Sequence, residues 1–133
     1  MLRRSFTYTD YDGIERTEEC YFNLNKAEVA EMEVTFEGGL ARYLNKIVEA
    51  KNGKAIMEKF KWLILKAYAE KSDDGRRLVK SEELSKAFSE TEMYNILFME
   101  LITDAKKAAD FVAAILPPVD KDKPNVAVVS ENR

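Results

Sequence analysis

The chain contains no histidine and a single cysteine, Cys20. The missing histidine removes the commonest general base and the commonest metal ligand. One cysteine forms no internal disulfide. Without histidine, neither a structural zinc site nor a cysteine–histidine pair can be built within one chain. A reducing compartment is the expected setting. No apolar run approaches the roughly 20 residues needed to span a bilayer. Arg3 and Arg4 have no apolar segment behind them, so the opening does not read as a secretory signal. A basic excess is also missing: 21 lysines and arginines stand against 24 aspartates and glutamates, a net charge of −3. That balance argues against non-specific nucleic-acid binding, which needs a basic face.

What is present suits a packed core under a charged surface, with 46% hydrophobic and 34% charged residues. At 133 residues, one domain is expected. The stretch from Ile56 to Ser81 is its pivot. Ile56, Phe60, Leu63, Ile64, Ala67 and Tyr68 recur at three- and four-residue spacings, and Met57, Trp62 and Leu65 widen that face. The spacing predicts a central helix over Lys54–Lys71 covered on more than one side. Ser72, Asp73, Asp74 and Gly75 then turn the chain.

Before the pivot, residues 3–22 read as a β-hairpin with Asp12-Gly13 supplying the turn, since both can take positive φ at low cost. In the first arm Phe6 and Tyr8 share a face, in the second Cys20 and Phe22 do, and the charged return arm implies a wet side. A lone hairpin is marginal, so this one must lie on helices or pair with another chain. Asn25 and Glu28 form a capping box. The helix behind them carries the stripe Val29, Met32 and Phe36, and Gly38-Gly39 interrupts it. A second helix follows over Leu40–Lys51, with Leu40, Tyr43, Leu44, Ile47 and Val48 on one face and Asn52-Gly53 as its cap.

After the pivot, Arg77-Leu78-Val79-Lys80 is too short to classify, with an extended reading open. Ser81 caps a helix carrying Leu84, Ala87 and Phe88. Ser89 with Glu92 reads as the next capping box, opening a helix that buries Met93, Tyr94, Ile96, Leu97, Met99 and Leu101. Thr103-Asp104 caps a last helix, Ala105 to Leu116, with Ala108, Phe111, Val112 and Ile115 inward. Pro117-Pro118 ends it. The residues beyond are charged and proline-broken and read as a disordered tail with a small apolar patch, Val126-Ala127-Val128-Val129.

Reaction chemistry finds no support. Asp10, Asp12, Gly13 and Glu19 match part of a calcium-loop spacing, but Tyr8 occupies the first ligand position and no helix precedes it. Glu70, Ser72, Asp74 and Gly75 fail likewise, with Ser81 where the bidentate glutamate belongs. Adjacent Asp73 and Asp74 read as turn residues. Cys20 is expected as a half-buried strand residue with anionic neighbours that keep its thiol protonated. No catalytic, cofactor-binding or metal residue is assigned. Trp62, Phe60, Tyr68, Tyr94 and Phe98 read as core or interface aromatics. Met93 and Met99 with Ile96 and Leu97 would also suit a partner-helix groove.

The assembled pattern resembles the tail assembly chaperones of long-tailed bacteriophages and prophages of Gram-positive bacteria. The resemblance runs through Tyr8-Thr9-Asp10-Tyr11-Asp12-Gly13-Ile14-Glu15-Arg16-Thr17-Glu18, Tyr21-Phe22-Asn23-Leu24-Asn25-Lys26-Ala27-Glu28, Leu65-Lys66-Ala67-Tyr68-Ala69-Glu70-Lys71-Ser72-Asp73-Asp74-Gly75-Arg76-Arg77, Thr91-Glu92-Met93-Tyr94 and Ala109-Asp110-Phe111. It covers most of residues 6–117 and departs at Ala69, where glycine is expected. It implies a non-enzymatic protein of the host cytoplasm that binds the tape-measure protein, keeps it soluble and recruits tail-tube subunits, with no nucleic-acid or membrane partner and no cofactor. A structural tail or head-completion protein retained in the virion is the alternative, and a lysine- or carboxylate-dependent enzyme a third reading.

The expected fold is mainly α (α+β): an N-terminal β-hairpin packed on a compact bundle of about five to six helices, with a disordered C-terminal tail. Residues 1–117 form the domain and 118–133 the flexible tail. Protein contacts are expected at Trp62, Tyr94, Phe98 and Met99. Phe6 and Tyr8, on the hairpin edge from Phe6 to Asp10, are expected in self-association.

Overall fold

Alternating side chains make the first two elements. A computed structural model describes residues 1–49 and 53–118. Strands β1 (Leu2–Thr9) and β2 (Glu15–Phe22) pair antiparallel, with Phe6 opposite Glu18 and Leu2 opposite Phe22. Even-numbered residues of β1 turn inward. The other face is wet: the Thr7 and Thr17 hydroxyls meet at 3.0 Å, and Arg3 lies 3.9 Å from Glu19.

The turn falls at Asp12-Gly13 as expected, and only the glycine takes the left-handed conformation. Among the described residues only glycines take positive φ, so Asp12 does not; Gly13 does, at 81°. The Asp10 carboxylate accepts from the amides of Asp12 and Ile14, each at 2.9 Å, and the Gly13 amide donates to the Asp10 carbonyl. This is a three-residue loop with a glycine bulge.

The caps hold the helices where their signals lie. Asn25 and Glu28 bond reciprocally at the start of α1 (Lys26–Thr35), at 2.8 and 2.9 Å. Lys80 reaches across the fold to Glu28 (2.8 Å) and to the Asn23 carbonyl, tying this corner to the second half of the chain. Gly38 and Gly39 both take positive φ and turn the chain into α2 (Gly39–Glu49). Leu40 and Leu44 are buried. The side chains of Ile47 and Val48, the Asn52 cap, the expected end of α2 at Lys51 and the tail from Val119 with its Val126–Val129 patch lie outside the described residues.

Helix α3 (Gly53–Ala67) buries Phe60, Leu63, Ile64 and Ala67 and touches α2, α4, α5 and β2. It ends four residues before the expected Lys71. Tyr68–Lys71 is instead strand β3, pairing Tyr21 with Ala69 and Phe22 with Tyr68. The open side of β2 offers ladder bonds to these backbone groups, which outweighs a helical period that continues through Tyr68. The Ser72 amide donates to the Arg77 carbonyl at 2.9 Å, and Leu78–Val79 returns as β4. The hairpin is therefore part of a four-stranded sheet, order β1-β2-β3-β4.

Ser81 caps α4 (Glu82–Ser89) through the Leu84 amide. The next cap is Thr91, not Ser89: the Ser89 hydroxyl donates back to the Lys86 carbonyl, and Thr91 accepts from the Tyr94 amide. Both residues suit a cap, but Ser89 is still the last residue of α4, directly after the buried Phe88. Helix α5 (Glu92–Thr103) buries Met93, Leu97 and Leu101, whereas Met99 is 53% exposed rather than inward. Asp104 caps α6 (Ala105–Ile115) by accepting from the Lys106 and Lys107 amides, and Ala108, Phe111, Val112 and Ile115 are buried as the spacing predicts. At the centre, Phe22 meets Tyr68, Phe88 and Phe111 edge-on at 5.7–5.9 Å between ring centres.

Candidate protein-interaction surfaces

Titratable groups are spent on structure. Cys20 is fully buried rather than half-buried. Its sulfur lies 3.6 Å from that of Met93, and burial first, then the Glu18 charge, pushes the thiol up to about 11. Asp10 and Asp74 hold turns, and their bonds from Arg16 and from the Arg76 amide respectively keep both carboxyls below the ordinary range. Among the described residues no cluster of carboxylates and cysteine could hold a metal ion, and no helix is long and apolar enough to cross a membrane.

A shallow cleft of about 330 Å³ lies between β1, α5 and α6, with Leu2, Phe111 and Ala114 on its walls and Arg4, Glu100 and Lys107 on its rim. Both terminal nitrogens of Arg4 grip the Glu100 carboxylate, and Lys107 adds a contact at 3.4 Å. The Arg4 bond holds the Glu100 carboxyl below the usual carboxylate range. A depressed folded-state value means that the pair's stabilisation is full above the unfolded value near 4.5 and is lost as pH falls through the lower folded value. At pH 7, Glu100→Gln is therefore expected to lower stability by about 1 kcal/mol. The gap to the parent protein should shrink in urea titrations from pH 5 to pH 3. A gap that stays constant over that range would show that the ion pair does not supply it.

Of the sequence-derived contact residues, Phe6 is in the core, 2% exposed, with the Arg4 guanidinium over its ring. Its even register points it at the helices. Tyr8 is half-buried and donates to Glu18 at 2.7 Å, a bond that raises its hydroxyl to about 12. The edge of β1 itself is open: among the described residues no strand pairs beyond it. Asp10 pairs with Ile14, so the ladder bonds to β2 fall at even residues, and the backbone groups of Ser5, Thr7 and Thr9 point away from the sheet.

The helical residues fall into two aromatic groups. Tyr94 and Phe98 stack at 5.6 Å, backed by Phe88, with Met99 exposed beside them on α5. Trp62, 37% exposed, meets Phe36 at 5.5 Å and Tyr43 at 5.6 Å, and those two rings stack at 4.1 Å. Phe36 and Tyr43 were legible as stripe residues of α1 and α2. Their union with Trp62 needs three helices to meet and leaves no local signal.

These features define a class: a small α+β protein with half-buried aromatic groups on its helices, exposed Trp62 and Met99 beside them, and an open strand edge. The family model for the phage tail assembly chaperone matches residues 1–124, and the chain belongs to that family. No curated protein and no solved structure matches it.

Proposed function

We propose that this protein acts without catalysis, in the host cytoplasm, to bind the tape-measure protein, keep it soluble and recruit tail-tube subunits during tail morphogenesis. Membership of the tail assembly chaperone family carries the reading. A tape measure is a long helical chain with apolar seams, so many weak contacts along one rod give avidity without a tight single site. Trp62 and the Tyr94–Phe98–Met99 group supply such contacts. Residues 1–117 form the chaperone domain. The β1 edge from Phe6 to Asp10, which includes Tyr8, serves self-association through backbone bonds, Phe6 itself being committed to the core.

The test is co-expression with the tape-measure protein encoded nearby, followed by size exclusion with light scattering. Many copies should co-elute with an otherwise insoluble tape measure. If nothing co-elutes and the tape measure still aggregates, the reading fails. Recovery of the chain in purified virions would favour a retained structural component instead.

A further inference from the structure

Helices α2 and α3 concentrate positive charge that the whole-chain balance hides. Between Gly39 and Ala67 the sequence holds seven lysines and arginines against two glutamates, a local net of +5 in a chain of net −3. Some cations elsewhere are matched, Arg4 and Lys107 to Glu100, Arg16 to Asp10 and Lys80 to Glu28, while Lys26, Lys71, Arg76, Arg77 and Lys86 have no ion-pair partner among the described residues but are scattered over α1, β3, the turn after it and α4. Among the described residues, Arg42, Lys46, Lys59, Lys61 and Lys66 have no ion-pair partner. Trp62 sits within this field. Lys59 and Lys66, three residues before it and four after, share its helix face. The Lys59 ammonium also lies 5.2 Å from the Tyr43 ring centre.

We propose that this face docks an acidic amphipathic helix of a partner protein. The helix would lay an aliphatic stripe on Trp62, Tyr43 and Phe36 and set its carboxylates against Lys59 and Lys66. The inference rests on the chaperone reading and deepens it by giving the bound helix a chemistry. Unpaired lysines around a desolvating aromatic centre are the electrostatic complement of such a helix. A nucleobase fits less well: Phe36 and Tyr43 stack on each other and Trp62 meets both edge-on, whereas base stacking needs open ring faces.

Trp62 is the sole tryptophan, so its emission reports on this face directly. The probes are a synthetic helical peptide of about 20 residues with a leucine stripe flanked by glutamates, a twin with lysines in place of the glutamates, and a single-stranded oligothymidine. The full chain should show a saturable blue shift with the acidic peptide. Its affinity should fall at least about tenfold in Lys59→Glu/Lys66→Glu, with circular dichroism unchanged, and should weaken with added salt. Equal response to both peptides, a stronger response to oligothymidine, or a shift produced by raising protein concentration alone would overturn the proposal, the last by placing a second copy on the face. The same double variant then enters the tape-measure co-expression. Co-elution lost only in the variant supports the docking face. Co-elution kept by the variant overturns the face and spares the chaperone reading. If the unmodified chain fails to co-elute, the chaperone reading falls and the peptide titration alone decides the face.

Discussion

Phe22→Ala is expected to lower the unfolding free energy by about 3–5 kcal/mol. The side chain is wholly buried at the end of β2, and it touches the sheet and two helices through its edge contacts with Tyr68, Phe88 and Phe111. Removing the ring deletes three aromatic contacts and leaves a void that the strand, pinned by pairing with Leu2 and Tyr68, cannot close. A loss of that size is a large part of the roughly 5–15 kcal/mol typical of a small domain. Urea unfolding followed by circular dichroism would show it as a lower midpoint. Val34→Ala, at an 84% exposed position on α1, should change stability by less than about 0.5 kcal/mol. If Phe22→Ala costs under about 1 kcal/mol, Phe22 is not the centre of the core.

Gly39→Ala should cost about 2–3 kcal/mol, from two sources. The residue sits at φ +86°, where an L side chain is strained. Its added Cβ would also clash with a carboxylate oxygen of Glu33, whose other oxygen accepts from the Leu40 amide at 3.0 Å and caps α2. The substitution thus strains the backbone and displaces the cap. Gly13→Ala isolates the first source, since φ is +81° and nothing lies near the new methyl group, and about 1 kcal/mol is expected there. Equal losses in the two variants would remove Glu33 from the account.

Much of this was legible because it is local. Asn25 with Glu28, Ser81 and Asp104 each cap the helix that their short-range signal marks, and α6 buries all four residues that its period selects, whereas α5 buries three of six and α1 only Met32. The failures are non-local. Nothing between Ile56 and Lys71 marks Ala67 as the helix end; that end is set by Tyr21 and Phe22, more than forty residues earlier. Ala69, where glycine was expected, fits because it is a buried strand residue beside Tyr21. Trp62, Tyr94, Phe98 and Met99 stood out as apolar residues in a polar chain. That Trp62 belongs with Phe36 and Tyr43 emerges only once α1, α2 and α3 are folded together.

The strand order also sets a timetable for synthesis. β2 and β3 are neighbours in the sheet, yet three helices separate them in the chain. As the polypeptide leaves the ribosome, the inner edge of β2 therefore waits for residues up to Lys71. At about 5–20 residues per second, that wait is roughly 2–10 s. Leu24 waits longer still, because its amide bonds to the carbonyl of Ile115 in the last helix. The nascent N-terminal hairpin therefore passes through an interval with both of its edges bare, in which the strand edge that a partner or second copy would use in the finished protein is not yet the only one on offer.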